Sequence, residues 1–168
     1  MNRMFFLLTL GTLCFGTVHA QSEVKSADIS FVFASKDVEG TIGGFQSESA
    51  VDLEQLANSQ FTGSVTVESL STGNFLRDWS LKSSKYFDKD EYPDIRFQST
   101  KIIEQDNGIL VSGDLKIKNT SREISINFQR EGKKLTGTTA VYSSDFGIDI
   151  KKKREDNLVE ITIILMLE

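Results

Sequence analysis

Ile124-Ser125-Ile126-Asn127-Phe128-Gln129-Arg130-Glu131-Gly132-Lys133-Lys134-Leu135-Thr136-Gly137-Thr138-Thr139-Ala140-Val141 is the stretch whose reading decides the fold. Ile124, Ile126 and Phe128 alternate with Glu123, Ser125, Asn127 and Gln129. That two-residue period belongs to a strand with one buried face. Glu131-Gly132-Lys133 turns the chain, and Leu135, Gly137, Thr139 and Val141 then share one face of a returning strand. So short a connection joins antiparallel neighbours.

Outward from this hairpin the pattern repeats. Ile109, Val111, Leu115 and Ile117 mark a strand between Asp106-Asn107-Gly108 and Lys118-Asn119-Thr120-Ser121. The first of these turns is a tight-hairpin signal, because Asn and Gly accept positive φ. Ile95 and Phe97 open a strand that runs to about Ile103. Phe61, Val65 and Val67 mark another, and residues 52–58 a brief helical turn with Leu53 and Leu56 on one side. A strand from about Glu39 to Gln46 carries Gly40, Gly43 and Gly44; before it Ile29, Phe31 and Phe33 alternate with Ser30, Val32 and Ala34. Downstream, Asp145-Phe146-Gly147 closes a strand, and Val159 to Leu167 is nearly all apolar, with Glu160 and Thr162 facing out.

The count is eight strands, mostly joined by hairpin-sized turns. Such an all-β chain closes into an up-and-down antiparallel barrel, which removes exposed edges. An eight-stranded barrel is either filled by side chains or holds one small ligand. Gly40, Gly44, Gly63, Gly113 and Gly137 fall on the apolar alternation and thin the interior, which favours a cavity. A barrel filled by Phe side chains is the alternative, and it implies a non-catalytic structural or stress-related interaction module.

One long insertion breaks the strands, residues 72–97. It holds the only Trp, the only Pro and two of the three Tyr. Thr72-Gly73-Asn74 begins it with a turn, and Arg77-Asp78 follows among Phe75, Leu76, Trp79 and Leu81. A short helix is expected from about Ser83 to Asp90, capped by Ser83 or Ser84. Pro93 then extends the chain.

Residues 1–20 read as an export signal, with Arg3 as the n-region, an apolar core from Phe5 to Phe15, and cleavage after Ala20. Leu13 before Cys14 argues against lipidation, which needs a small residue there. Cleavage removes 20 of the 168 residues and leaves 148, enough for one domain, residues 21–168. A chain this long buries about 68–70% of its unfolded surface. It also removes the only Cys and the only His. The remainder has no disulfide, no thiolate nucleophile, no Ser-His-Asp triad and no Cys or His metal ligand. Only Arg3 is lost among the charges, so 18 Lys and Arg face 24 Asp and Glu, a net of −6. That balance argues against general nucleic-acid binding. No apolar run of the mature chain is long enough for a membrane helix.

The candidate groups keep two readings each. Arg77-Asp78 either anchors a polar head group at the cavity mouth or forms a loop salt bridge. Phe75, Trp79, Tyr86, Phe87 and Tyr92 either cover an apolar ligand or pack the insertion onto the barrel. Lys151-Lys152-Lys153-Arg154 either meets an anion or is solvated. Asp78, Asp88 and Asp145 are not paired in sequence as a carboxylate acid–base couple requires. Asn119-Thr120-Ser121 fits a glycosylation acceptor.

The run Thr72-Gly73-Asn74, Arg77-Asp78, Leu81-Lys82-Ser83, Tyr86-Phe87-Asp88, Tyr92-Pro93 and Phe97 resembles the signature of the YceI-like family. Gly113-Asp114-Leu115, Ile117-Lys118, Asp145-Phe146-Gly147 and the apolar last strand extend the resemblance over most of the mature chain. Membership implies an exported, periplasmic or secreted, lipocalin-like barrel with a helix over one side; the lack of His and Cys in the mature chain argues against an enzyme, of which a carboxylate hydrolase would be the remaining kind. Membership also implies a polyisoprenoid guest, such as a quinone or prenyl phosphate, rather than a resident cofactor, and a homodimer. The expected ligand-binding residues are Phe31, Phe33, Phe45, Phe75, Leu76, Arg77, Trp79, Phe87, Phe97, Ile117, Ile126, Phe128 and Phe146. Trp79 or Ser80 stands where the family usually has His, no His lies near the first strand, and Ser143 stands where Arg is common. These departures alter the polar positions that would meet a head group.

Overall fold

The computed structural model describes residues 21–168 apart from Asn107. The expected export signal, with Cys14 and His19, and the middle of the Asp106-Asn107-Gly108 turn lie outside the described residues.

The described residues form eleven strands: β1 (Gln21–Ser22), β2 (Val24–Phe33), β3 (Val38–Ile42), β4 (Gln46–Ser47), β5 (Val51–Asp52), β6 (Thr62–Thr66), β7 (Asp94–Gln105), β8 (Gly108–Ile117), β9 (Thr120–Glu131), β10 (Lys134–Tyr142) and β11 (Leu158–Leu167). Nine form one antiparallel sheet in the order β3-β2-β11-β10-β9-β8-β7-β6-β4, and β1 pairs with β5 beside it. The sheet curls until its ends meet. Thr41 and Ser71 exchange backbone hydrogen bonds of 2.8 and 2.9 Å, and Thr66 N–H donates to Gly43 O at 3.0 Å. The fold is thus an all-β, barrel-like antiparallel sheet.

Eight strands were expected, and the difference arises at two places. β1 and β5 are two-residue strands too short to leave a periodic signal. The expected single strand from Glu39 to Gln46 is two. Gly44 adopts φ +67°, so the chain leaves β2 after Ile42 and pairs again with β6, as β4. Glycine reaches that left-handed region without a Cβ clash.

The helix lies between the expected strands but earlier than predicted. It is α1 (Phe75–Lys82), not Ser83–Asp90. Asn74 Oδ1 accepts from Arg77 N–H at 3.0 Å and caps the start. Ser83 ends the helix instead of starting it, and its hydroxyl donates to Ser80 O at 2.6 Å. Beyond it Asp88 sits at φ +54°, so the chain continues as turns. The sequence points to Ser83 or Ser84 as the cap, whereas Asn74 fills that role through the hydrogen bond it accepts from Arg77 N–H.

Two hydrophobic clusters pack the interior. Val51, Phe61, Ile109, Val111, Ile126, Phe128, Leu135, Leu165 and Leu167 form one, where the Phe61 and Phe128 rings stack 5.5 Å apart. Leu115, Ile117, Val141, Phe146 and Ile148 form the other. The glycines do not empty the interior as expected. A Cβ on Gly40 would lie 2.3 Å from Phe31 Cζ, on Gly113 2.6 Å from Phe97 Cζ, and on Gly137 2.4 Å from Phe128 Cε1. Each glycine is the bed of a phenylalanine ring.

Candidate functional site

A cavity of about 530 Å³ lies inside the curled sheet. Its wall is built by the strand period. Phe31 and Phe33 of β2 face inward, and the register sets Ile161 opposite Phe31 and Val159 opposite Phe33 on β11. On the far wall Phe97 of β7 stands opposite Leu115 of β8, and Ile126 and Phe128 come from β9. The size falls within the roughly 300–1,000 Å³ range of ligand sites. A completely filled barrel is not what the side chains make.

Nine of the thirteen expected binding residues line this cavity: Phe31, Phe33, Phe45, Arg77, Phe87, Phe97, Ile117, Ile126 and Phe128. The other four do not. Phe146 is buried in the second core cluster. Phe75, Leu76 and Trp79 are 80%, 73% and 69% exposed on the outer face of α1. The aromatic set of the insertion is therefore divided: Tyr86 and Phe87 turn inward to the cavity and core, while Phe75 and Trp79 face out.

Sequence reasoning missed Ile161 and Ile163, which also line the cavity. The outward Glu160 and Thr162 already imply an inward phase for them, and pairing opposite Phe31 and Ile29 sets them on the cavity wall. It missed Lys36 as well, which borders the cavity from the β2–β3 turn. That position has no local signal.

Arg77 and Asp78 do not pair with each other. Both hold Thr72. Asp78 Oδ1 accepts from Thr72 N–H at 2.8 Å and from the Thr72 hydroxyl. Arg77 Nε donates to Thr72 Oγ1 at 2.7 Å and Nη2 to Thr72 O at 2.8 Å. Burial works against the Asp78 charge, but the Thr72 hydroxyl and N–H and the charge of Lys82 outweigh it, so its carboxyl lies below the usual range. The pair thus locks the turn that starts α1. Arg77, Ser80 and Leu81 of that helix border the cavity.

The basic run is also divided. Arg154 donates from Nε and Nη2 to the two Asp145 oxygens at 2.7 and 2.6 Å, and its guanidinium lies 3.7 Å from the Tyr142 ring centre. Where the family often has Arg, the Ser143 hydroxyl donates to Ile148 O at 2.8 Å. Among the described residues, the buried side-chain atoms without a hydrogen-bond partner are Thr62 Oγ1 and Ser144 Oγ, and Thr62 lies on the cavity wall. No group of three or more His, Cys, Asp or Glu among the described residues is placed to hold a metal ion.

Fold and site together define a small antiparallel barrel with an apolar internal cavity and a helix along one border. The YceI-like domain model matches residues 17–167, and the chain belongs to that family. A UPF0312 protein of Vibrio cholerae is 29% identical over 145 residues, covering 79% of this chain and 74% of its own. One from Staphylococcus aureus is 26% identical over 152 residues, covering 84% of each. Among solved structures, Burkholderia cenocepacia BcnA matches with a TM-score of 0.68 at 21% identity, covering 84% of this chain and 94% of that one. A polyisoprenoid binding domain from Saccharophagus degradans, implicated in plant cell wall breakdown, matches with a TM-score of 0.62 at 14% identity, over 88% of this chain and 97% of its own. At these identities the structural matches establish the shared fold.

Proposed function

We propose that this chain is an exported binding protein that holds an isoprenoid-like lipid of the quinone or prenyl phosphate type inside its barrel. The observation that carries the reading is the cavity of about 530 Å³ ringed by phenylalanines. Burying about 300 Å² of a prenyl tail gains roughly 7 kcal/mol at ~25 cal/mol per Å², before the cost of ordering the chain. Lys36 and Arg77 border the same space and could meet a polar head group. The likeness to the polyisoprenoid binding domain of Saccharophagus degradans supports the ligand class. Export to the periplasm or beyond the cell is part of the proposal and is supported by the signal-like pattern of residues 1–20. The role is sequestration or carriage, with no bond made or broken.

The test is mass spectrometry of an organic extract of the natively expressed, purified protein. A prenyl lipid is expected at near one molecule per chain, together with saturable binding of a short-chain prenyl quinone to the stripped protein. Absence of both overturns the reading.

A further inference from the structure

We propose that α1 docks on a lipid surface, with Phe75, Leu76 and Trp79 entering the headgroup region. The inference rests on the lipid-binding reading and adds where the guest is collected. The three side chains form one patch, because residues three and four apart in a helix are neighbours. They are 80%, 73% and 69% exposed. Soluble monomers rarely expose a contiguous apolar patch of more than a few hundred Å².

Area and charge choose the occupant. Aromatic side chains of this kind present about 150–250 Å² each, so the patch offers roughly 450 Å². A stable dimer needs about 800 Å² from each partner. A second copy of the chain would leave half of such an interface to other residues. A bilayer asks for no matching surface. An indole with one apolar and one polar edge prefers the membrane–water boundary. The helix also has the charge for an anionic headgroup layer. Lys82 closes it and Lys85 follows, neither in an ion pair among the described residues, while the one acid on the helix, Asp78, is turned onto Thr72. An amphipathic helix with this division lies in the interface plane.

The other face of the helix gives the arrangement its use. Arg77, Ser80 and Leu81 border the cavity. With Phe75, Leu76 and Trp79 in the headgroups, a prenyl tail would pass from bilayer to barrel along the helix without crossing bulk water.

Trp79 is the only tryptophan in the chain, so its emission reads the contact directly. The probe is vesicles of phosphatidylcholine and phosphatidylglycerol, with and without brominated acyl chains. A saturable blue shift, quenching by the brominated lipid and co-flotation of the protein are expected. The double variant Phe75→Ser/Leu76→Ser should keep the melting temperature and lose about tenfold or more in partitioning. Failure of the unaltered protein to shift or float overturns the proposal. So does a blue shift that grows with protein concentration without vesicles and accompanies dimers in sedimentation, which makes the patch a self-interface. Binding of a short-chain prenyl quinone in vesicle-free buffer separates the two readings. Intact binding there with no vesicle contact overturns only the docking; vesicle contact without quinone binding overturns only the proposed ligand.

Discussion

Asp145 shows at the scale of one residue how a family motif can be structural. The two hydrogen bonds from Arg154, and the charges of Arg154 and Arg122, hold its carboxyl below the usual range against the opposing effect of burial. A carboxyl with a depressed folded pKa contributes stability above its unfolded value, near 3.9, and that stability is lost as pH falls through the folded value. Asp145→Asn is therefore expected to lower the melting temperature at neutral pH. The gap to the unaltered protein should stay full down to about pH 4 and close below it; a gap that widens in acid contradicts the assignment. Asn157 has no such motif to announce it. It is fully buried, accepts from Ile150 N–H and Lys151 N–H, and donates to Lys151 O and Lys153 O. The lysine run reads as a solvated turn in sequence; the amide that shapes it lies four to seven residues away. Arg77 and Asp78 teach the same lesson, since adjacency suggested a salt bridge and the real partner of both is Thr72.

At the scale of elements, glycine and phenylalanine act as cross-strand units. Phe31 lies over Gly40 and Phe128 over Gly137 directly across neighbouring strands, and Phe97 lies over Gly113 two residues along from Ser99, the direct partner of that glycine. The alternation placed these glycines on the inner face correctly, but their consequence needed the neighbouring strand. Gly113 is the most constrained of the three, because a Cβ there would also lie 2.4 Å from Gln98 O and 2.8 Å from Ser99 Cα, where β7 is irregular. Backbone atoms cannot rotate away as a ring can. Gly113→Ala is expected to cost about 2–3 kcal/mol in urea unfolding, with little change in slope. The helix misplacement belongs to this scale too. Ser83 reads in sequence as an N-cap but ends the helix, and Asn74, nine residues before the expected start, reads as part of a turn.

For the whole molecule, the cavity is the decisive feature, and it can be closed from a wall that sequence reading overlooked. Ile161 faces it from the middle of β11, opposite Phe31. Ile161→Trp should fill part of the cavity and weaken prenyl quinone binding by about tenfold or more, while the folded state survives, since there is space to occupy. Isothermal titration with the stripped protein checks this, and undiminished affinity would move the guest away from the β2–β11 wall. Residues of both hydrophobic clusters, such as Phe61 and Phe128 of one and Leu115 and Val141 of the other, line the guest space.

The sequence by itself determined the antiparallel all-β class, nearly all of the strand phases, and the position of the insertion between β6 and β7. Those features rest on local alternation and on turn chemistry within a few residues. Tertiary packing decided which glycines lie under rings, which strands β11 joins, and how Gly44 sends the chain across to close the sheet. It also decided that three apolar residues of α1 face outward. Each of these depends on pairing between segments far apart in the chain, and a single strand or helix carries no record of its partner.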